Sequence, residues 1–196
     1  TEVRIGENNE ILVKGDTVMS GYYNKPEATS EVFTEDGFFR TGDAGKITDD
    51  NEIIMTERIK DLYKTSNGKY IAPQMIETRV GEDKFIDQIA VIGDSRKFVS
   101  ALIVPDYKVL EGYAADQGIE YNNIQDLMNN NQVHDFIFGR IELLQSQFTN
   151  YEKIKKFSLL PKPFSVEKGE LTNTLKLRRK VILERYAEVI DNMYKD

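Results

Sequence analysis

The stretch from Arg58 to Glu77 constrains this chain more than any other. It is polar and basic at its start, yet it lies between two parts that carry the apolar patterns of folded segments. A charged run belongs on a solvated surface, so its place inside the chain marks a junction where one domain ends and another begins. Asn67-Gly68, flanked by Tyr63 and by Tyr70-Ile71, predicts a β-hairpin, because Asn and Gly both tolerate positive φ. Pro73 predicts a helix start, since its missing N–H would be unpaired at the first helical position anyway.

The chain has 196 residues, room for one good-sized domain or one domain plus part of another. It is 40% hydrophobic and 30% charged, the balance of a soluble globular protein. No apolar run approaches the length of a membrane span. The first residue is Thr and no signal-peptide pattern follows, so the expectation is a piece of a longer protein. The absence of Cys excludes disulfides and thiolate metal sites and fits a cytoplasmic location. With His134 as its single histidine, the chain cannot build a multi-histidine metal site.

Residues 1–57 read as short strands. Val3-Arg4-Ile5 and Ile11-Leu12-Val13 flank a turn-rich Gly6-Glu7-Asn8-Asn9 and predict a hairpin. Pro26 starts a short helix, and Asp36-Gly37 and Gly42-Asp43-Ala44-Gly45 read as turns. Ile47 and Ile53-Ile54-Met55 predict one more hairpin through Asp49-Asp50-Asn51. The expectation is a small distorted barrel that buries little core alone.

After the junction, Pro73–Val80 is a short helix. Ile89–Ile92, Val99–Val104 and Phe157–Leu160 are strands, the first two joined by an antiparallel turn at Gly93–Arg96. Asp106 caps a helix that Gly118 ends, and Asn122-Asn123 leads a short one. Gln132–Phe148 places Val133, Phe136, Ile137, Ile141, Leu144 and Phe148 on one stripe. A last helix is expected over Lys176–Tyr194. The fold class is therefore α+β: a β-hairpin and a three-stranded sheet covered by helices, preceded by a short all-β part.

The net charge of −7 is uneven, because residues 153–180 hold nine Lys/Arg against two acids, +7 locally. Such a face on an acidic chain suits an anionic partner, either nucleic acid or a phosphorylated small molecule, or is simply solvated. Lys176, Arg178, Arg179 and Lys180 would crowd the first turns of the last helix, where the dipole favours anions; a bound phosphate would reverse that penalty. His134 sits between core positions and lacks a nucleophile elbow nearby, so it reads as a surface or partly buried residue.

Three ordered pieces carry a family resemblance over essentially the whole chain. Gly21–Thr29 followed by Gly37–Asp43, the stretch Arg58–Glu77, and Leu171–Arg179 resemble motifs of the acyl-/aryl-CoA synthetase, adenylation-domain and luciferase superfamily. Lys64-Thr65-Ser66-Asn67-Gly68-Lys69 and Leu175-Lys176 are most similar to long-chain fatty acyl-CoA synthetases, as is the long insertion at about 107–152. Many relatives carry Gly where this chain has Leu175.

The resemblance implies that residues 1–59 end a large N-terminal adenylate-forming domain and that 60–196 form a mobile C-terminal domain. It implies a two-step ligase reaction: fatty acid and Mg-ATP give acyl-AMP and pyrophosphate, then the thiol of CoA gives acyl-CoA and AMP. Carried over, Lys176 is the adenylation lysine and Asp43 binds the ribose hydroxyls of ATP or AMP. Arg58 is a second nucleotide contact, unless it only pairs with Glu57 or Asp61. Lys60 is the hinge, and Asn67 and Gly68 line the CoA channel. The Mg2+ site, adenine site and acyl pocket would lie upstream, so this chain alone is expected not to turn over, and it holds no metal site itself. The implied partners are fatty acid, ATP, CoA and the N-terminal domain, not nucleic acid; peripheral association with the inner face of a membrane is a family expectation. Two readings stay open: an adenylating enzyme that loads a carrier protein, and a non-catalytic module that docks an anionic partner through 153–180.

Overall fold

The computed structural model describes residues 1–195, with the side chain of Glu57 outside that description. The chain forms two compact units, Thr1–Leu62 and a second that begins at Tyr63.

In the first unit, apolar residues at strand spacing pair β1 (Glu2–Ile5) with β2 (Glu10–Lys14), Val3 opposite Val13 and Ile5 opposite Ile11. Asn8 and Asn9 make the turn at φ 55° and 59°, a region that Asn enters more readily than most residues. A short helix, α1 (Pro26–Glu31), begins on Pro26. β3 (Phe39–Ile47) and β4 (Ile53–Arg58) complete an antiparallel sheet in the order β1-β2-β3-β4.

This sheet corrects two expectations. It is an open meander with β1 and β4 at its edges, not a barrel; four short strands cannot supply the stagger that closure needs. Gly42-Asp43-Ala44-Gly45 is not a turn but the middle of β3. Gly42 at φ 71° and a register shift between Ala44 and Gly45 absorb these small residues as an irregularity in the ladder.

The second unit opens with β5 (Tyr63–Lys64) and β6 (Tyr70–Ile71), paired antiparallel, and α2 (Pro73–Val80), which starts on its proline. The hairpin turn is longer than a two-residue Asn-Gly turn. Only Gly68 adopts positive φ (74°), and the turn spans Thr65 to Lys69.

Its main sheet is β7 (Ile86–Ile92), β8 (Val99–Pro105) and β9 (Ile154–Leu159), in that order. β7 and β8 are antiparallel; β8 and β9 are parallel, which requires a crossover. The crossover is the helical region α3 (Tyr107–Asp116), α4 (Ile124–Met128) and α5 (Asn131–Leu144). Asp106, Asn123 and Asn130 cap these helices by accepting backbone N–H bonds from Val109, Asp126 and Val133.

β8 is buried along its length because both faces are covered. Val99, Ala101 and Ile103 pack into the core with α2, α3 and α5, while Leu102 and Val104 pack on the opposite side with Ile182, Ile190 and Met193.

Two helix boundaries differ from expectation. α5 stops at Leu144, before Phe148, because the fully buried Gln145 turns its side-chain amide to Ile154: Oε1 accepts from the Ile154 N–H at 2.8 Å. The last helix is two helices, α6 (Arg179–Arg185) and α7 (Ala187–Tyr194), broken at Tyr186. Lys176 is in neither. Residues 171–177 fold back instead, with Leu171 bridged to Leu177, so the helix starts three residues later. Only Arg179 and Lys180 of the four expected cations lie in its first turn. Among the described residues no helix is long and apolar enough to cross a membrane.

Candidate functional site

In the first unit the register of β3 and β4 sets Asp43 directly opposite Arg58. Arg58 Nε lies 3.3 Å from Asp43 Oδ1, with the guanidinium side chain 74% exposed and the carboxylate side chain 24% exposed. The pair is therefore open to solvent, and the second carboxylate oxygen retains lone pairs for a donor such as a sugar hydroxyl. Glu10 props this place from beneath: Oε1 accepts from the Gly42 N–H at 3.1 Å and Oε2 meets Arg40 at 3.2 Å. A pairing of Arg58 with Glu57 lies outside the described residues. Lys60 is exposed in the short 3-10 turn Ile59–Asp61, two residues before the units divide.

The second unit carries two turns of the same construction. In Thr65-Ser66-Asn67-Gly68-Lys69, the Thr65 N–H donates to the Lys69 carbonyl (2.9 Å) and the Gly68 N–H to the Thr65 carbonyl (2.8 Å). In Thr172-Asn173-Thr174-Leu175-Lys176, the Thr172 N–H donates to the Lys176 carbonyl (2.8 Å) and the Leu175 N–H to the Thr172 carbonyl (2.9 Å). In both, the threonine hydroxyl accepts the N–H of the closing lysine at 3.1 Å. The fourth residue is left-handed in both, Gly68 at φ 74° and Leu175 at φ 60°. Nothing lies within 4 Å of a Cβ built on Gly68, so it is the backbone angle and not space that favours glycine there. Lys176 is exposed, and its ammonium has no hydrogen bond or ion pair among the described residues of its unit.

Both turns root in one network. Arg179, three residues past Lys176, grips Glu77 of α2 in a two-pronged ion pair at 2.7 and 2.8 Å. Glu77 also accepts the Val91 N–H at 2.8 Å, and the Arg179 guanidinium lies 5.5 Å over the Tyr63 ring at the start of the first hairpin. Burial alone would lower the Arg179 pKa, but the Glu77 carboxylate more than offsets it and holds the guanidinium above its ordinary value. His134 stacks on Phe157 with ring centroids 4.0 Å apart, a packing role. Among the described residues no group of three or more His, Asp or Glu side chains is placed to hold a metal ion.

Residues 60–196 match the AMP-binding enzyme C-terminal domain. The chain belongs to this family. It is 35% identical over 193 residues to the long-chain-fatty-acid–CoA ligase FadD15 of Mycobacterium tuberculosis, covering 98% of this chain and 32% of that protein. It is 35% identical over 190 residues to the peroxisomal long chain acyl-CoA synthetase 6 of Arabidopsis thaliana, covering 95% and 27%. The A-PCP didomain of the carboxylic acid reductase from Segniliparus rugosus, solved with AMP, superposes with a TM-score of 0.67 at 29% identity, over 94% of this chain and 24% of that one. The chain thus spans about a third or less of the length of these curated relatives.

Glu10 in the first unit and Glu170 in the second are polar residues that sequence reasoning missed, and so is the pairing of Glu77 with Arg179. Glu77 closes the Arg58–Glu77 stretch and could have been singled out there. Glu10 and Glu170 carry no local signal, since acids beside turn residues read as solvated.

Leu175 is the one apolar member of the second turn, and it is 71% exposed. A non-glycine residue in the left-handed region costs about 1–2 kcal/mol, partly offset by the roughly 0.5–1 kcal/mol that glycine loses in backbone entropy. Leu175→Gly is therefore expected to stabilise the chain by about 0.5–1 kcal/mol, by the same balance of strain and entropy. A rise in urea midpoint at constant slope checks it.

Proposed function

We propose that this chain is the C-terminal part of a long-chain fatty acid–CoA ligase. The whole protein joins a fatty acid to ATP as acyl-AMP with release of pyrophosphate, then transfers the acyl group to the thiol of CoA with release of AMP. In the first step the Lys176 ammonium faces charge that builds on the α-phosphate and the attacking carboxylate. The Asp43 carboxylate accepts hydrogen bonds from the ribose hydroxyls, and Arg58 adds a donor beside it. In the second step the domain turns about Lys60 and presents Asn67 and Gly68 to the pantetheine arm, a hinge exchange of two faces. Mg2+ enters with ATP and is held outside this chain.

The observation that carries this reading is the pair of matched turns on one domain. One bears an exposed lysine whose ammonium has no partner among the described residues of its unit; the other bears a glycine with open space around it. Similarity to long-chain ligases along nearly the whole chain supports the substrate class. A second reading, transfer to a carrier protein, draws on the likeness to a didomain whose adenylation domain adjoins a PCP.

Offering the full-length protein preformed acyl-AMP with either CoA or a phosphopantetheinylated carrier separates the two. Acyl-CoA is the expected product; acyl-carrier without acyl-CoA would establish the second reading instead. Lys60→Pro is expected to slow thioester formation more than adenylation. Proline fixes its own φ and pushes Ile59 out of the helical region it holds in the 3-10 turn.

A further inference from the structure

The loop that carries Lys176 ends on a buried acid. Glu170 is fully buried (0% exposed), although Glu167, Lys168, Asn173 and Thr174 around it are exposed. Its carboxylate accepts three hydrogen bonds: from the Ser165 N–H at 2.9 Å, from the Tyr186 hydroxyl at 3.1 Å and from Arg185 Nη1 at 3.3 Å. Its backbone is equally committed. The N–H donates to the Ser165 carbonyl at 3.0 Å, and the carbonyl accepts from the Arg178 N–H at 2.7 Å. That last bond closes the hairpin whose far end is Lys176.

Burial of a carboxylate is unfavourable unless it is fully bonded, and an apolar residue of similar size would often serve stability as well or better. The neighbours Phe164 and Leu171 would suit such a residue. The charge is kept where it ties three elements together: the loop at Ser165, the base of the lysine turn, and the break between α6 and α7. The break at Tyr186 is part of the same arrangement, since the tyrosine there points its hydroxyl at Glu170.

We propose that Glu170 is a positioning residue for acyl-adenylate formation: its buried carboxylate fixes the base of the Thr172–Lys176 turn against α6 and so sets where the lysine ammonium stands. The inference rests on Lys176 being the adenylation lysine. A displacement of about 1 Å in such a group can cost roughly 100-fold in rate. Among the described residues no hydrogen bond joins Glu170 to the Thr65–Lys69 turn, so the thioester step is expected to proceed without it.

The test uses the full-length protein and reads the two half-reactions separately: pyrophosphate release from fatty acid and ATP, and acyl-CoA formation from supplied acyl-AMP. Glu170→Gln keeps the shape but sets an amide N–H2 against donors, and is expected to lower kcat for adenylation by about 10–100-fold, up to the cost of a misplacement of about 1 Å. The KM for ATP and the thioester half-reaction should stay near wild type. Arg185→Lys, which keeps a cation beside the buried carboxylate but not the guanidinium geometry, should give the same split at smaller size. Equal loss of both half-reactions in both variants would mean a merely structural acid and overturn the proposal, as would no loss in either. Lys176→Ala in parallel keeps the two ideas apart. If it adenylates normally, the reading of Lys176 fails; if it fails to adenylate while Glu170→Gln is unaffected, only the present inference fails.

Discussion

Lys176→Ala in the full-length protein is expected to lower acyl-adenylate formation roughly 10²–10³-fold, or about 3–4 kcal/mol, the usual value of one donor placed where charge develops. Thioester formation from supplied acyl-AMP should persist. The turn itself should survive the change. It is closed by main-chain bonds at Thr172, Leu175 and Lys176 and by the Thr172 hydroxyl, none of which involves the lysine ammonium. The side chain is exposed, so thermal stability should not move. Loss of rate with unchanged stability is thus the signature of a group that works on the substrate. Lys176→Arg should restore little, because a planar guanidinium does not reproduce a compact ammonium at a phosphate.

The second large effect is on stability. Arg179→Ala is expected to destabilise the chain by about 2–4 kcal/mol, because it leaves a nearly buried carboxylate without its partner. The Glu77 side chain is 12% exposed and that of Arg179 23%, which places the pair near the lower part of the range for buried pairs. The same change removes the guanidinium from over Tyr63, so the Thr65–Lys69 hairpin should loosen with it. Urea unfolding measures the loss. Adding Glu77→Gln to Arg179→Ala should recover part of it, because the glutamine oxygen still serves the Val91 N–H while the orphaned charge is gone.

Local signals in the sequence carried most of the elements. Pro26 and Pro73 start helices where expected, Asp106, Asn123 and Asn130 cap three more, and the run Val99–Val104, apolar but for Ser100, is a central strand covered on both faces. The misses share one cause, which is that pairing partners outside a run override the run's own preference. Gly42-Asp43 looks like a turn, yet pairing with β2 and β4 carries it through as a bulged strand. Leu175-Lys176-Leu177 are good helix formers by themselves, yet Leu171 and Glu170 hold them in a hairpin. Asp43 and Arg58 could be singled out from the sequence, but not that adjacent strands would set them opposite each other. The acids that orient the lysine turn, Glu77 and Glu170, become visible only when helices far along the chain bring Arg179, Arg185 and Tyr186 to them.

If the domain serves a fatty-acid adenylating enzyme, the whole protein must activate the acid reversibly before CoA is added. The most direct measurement is fatty-acid-dependent exchange of pyrophosphate into ATP by the full-length protein, followed by addition of CoA. Exchange that requires a long-chain fatty acid is expected, and acyl-CoA once CoA is present. Absence of fatty-acid-dependent exchange in a folded, ATP-binding protein would contradict it.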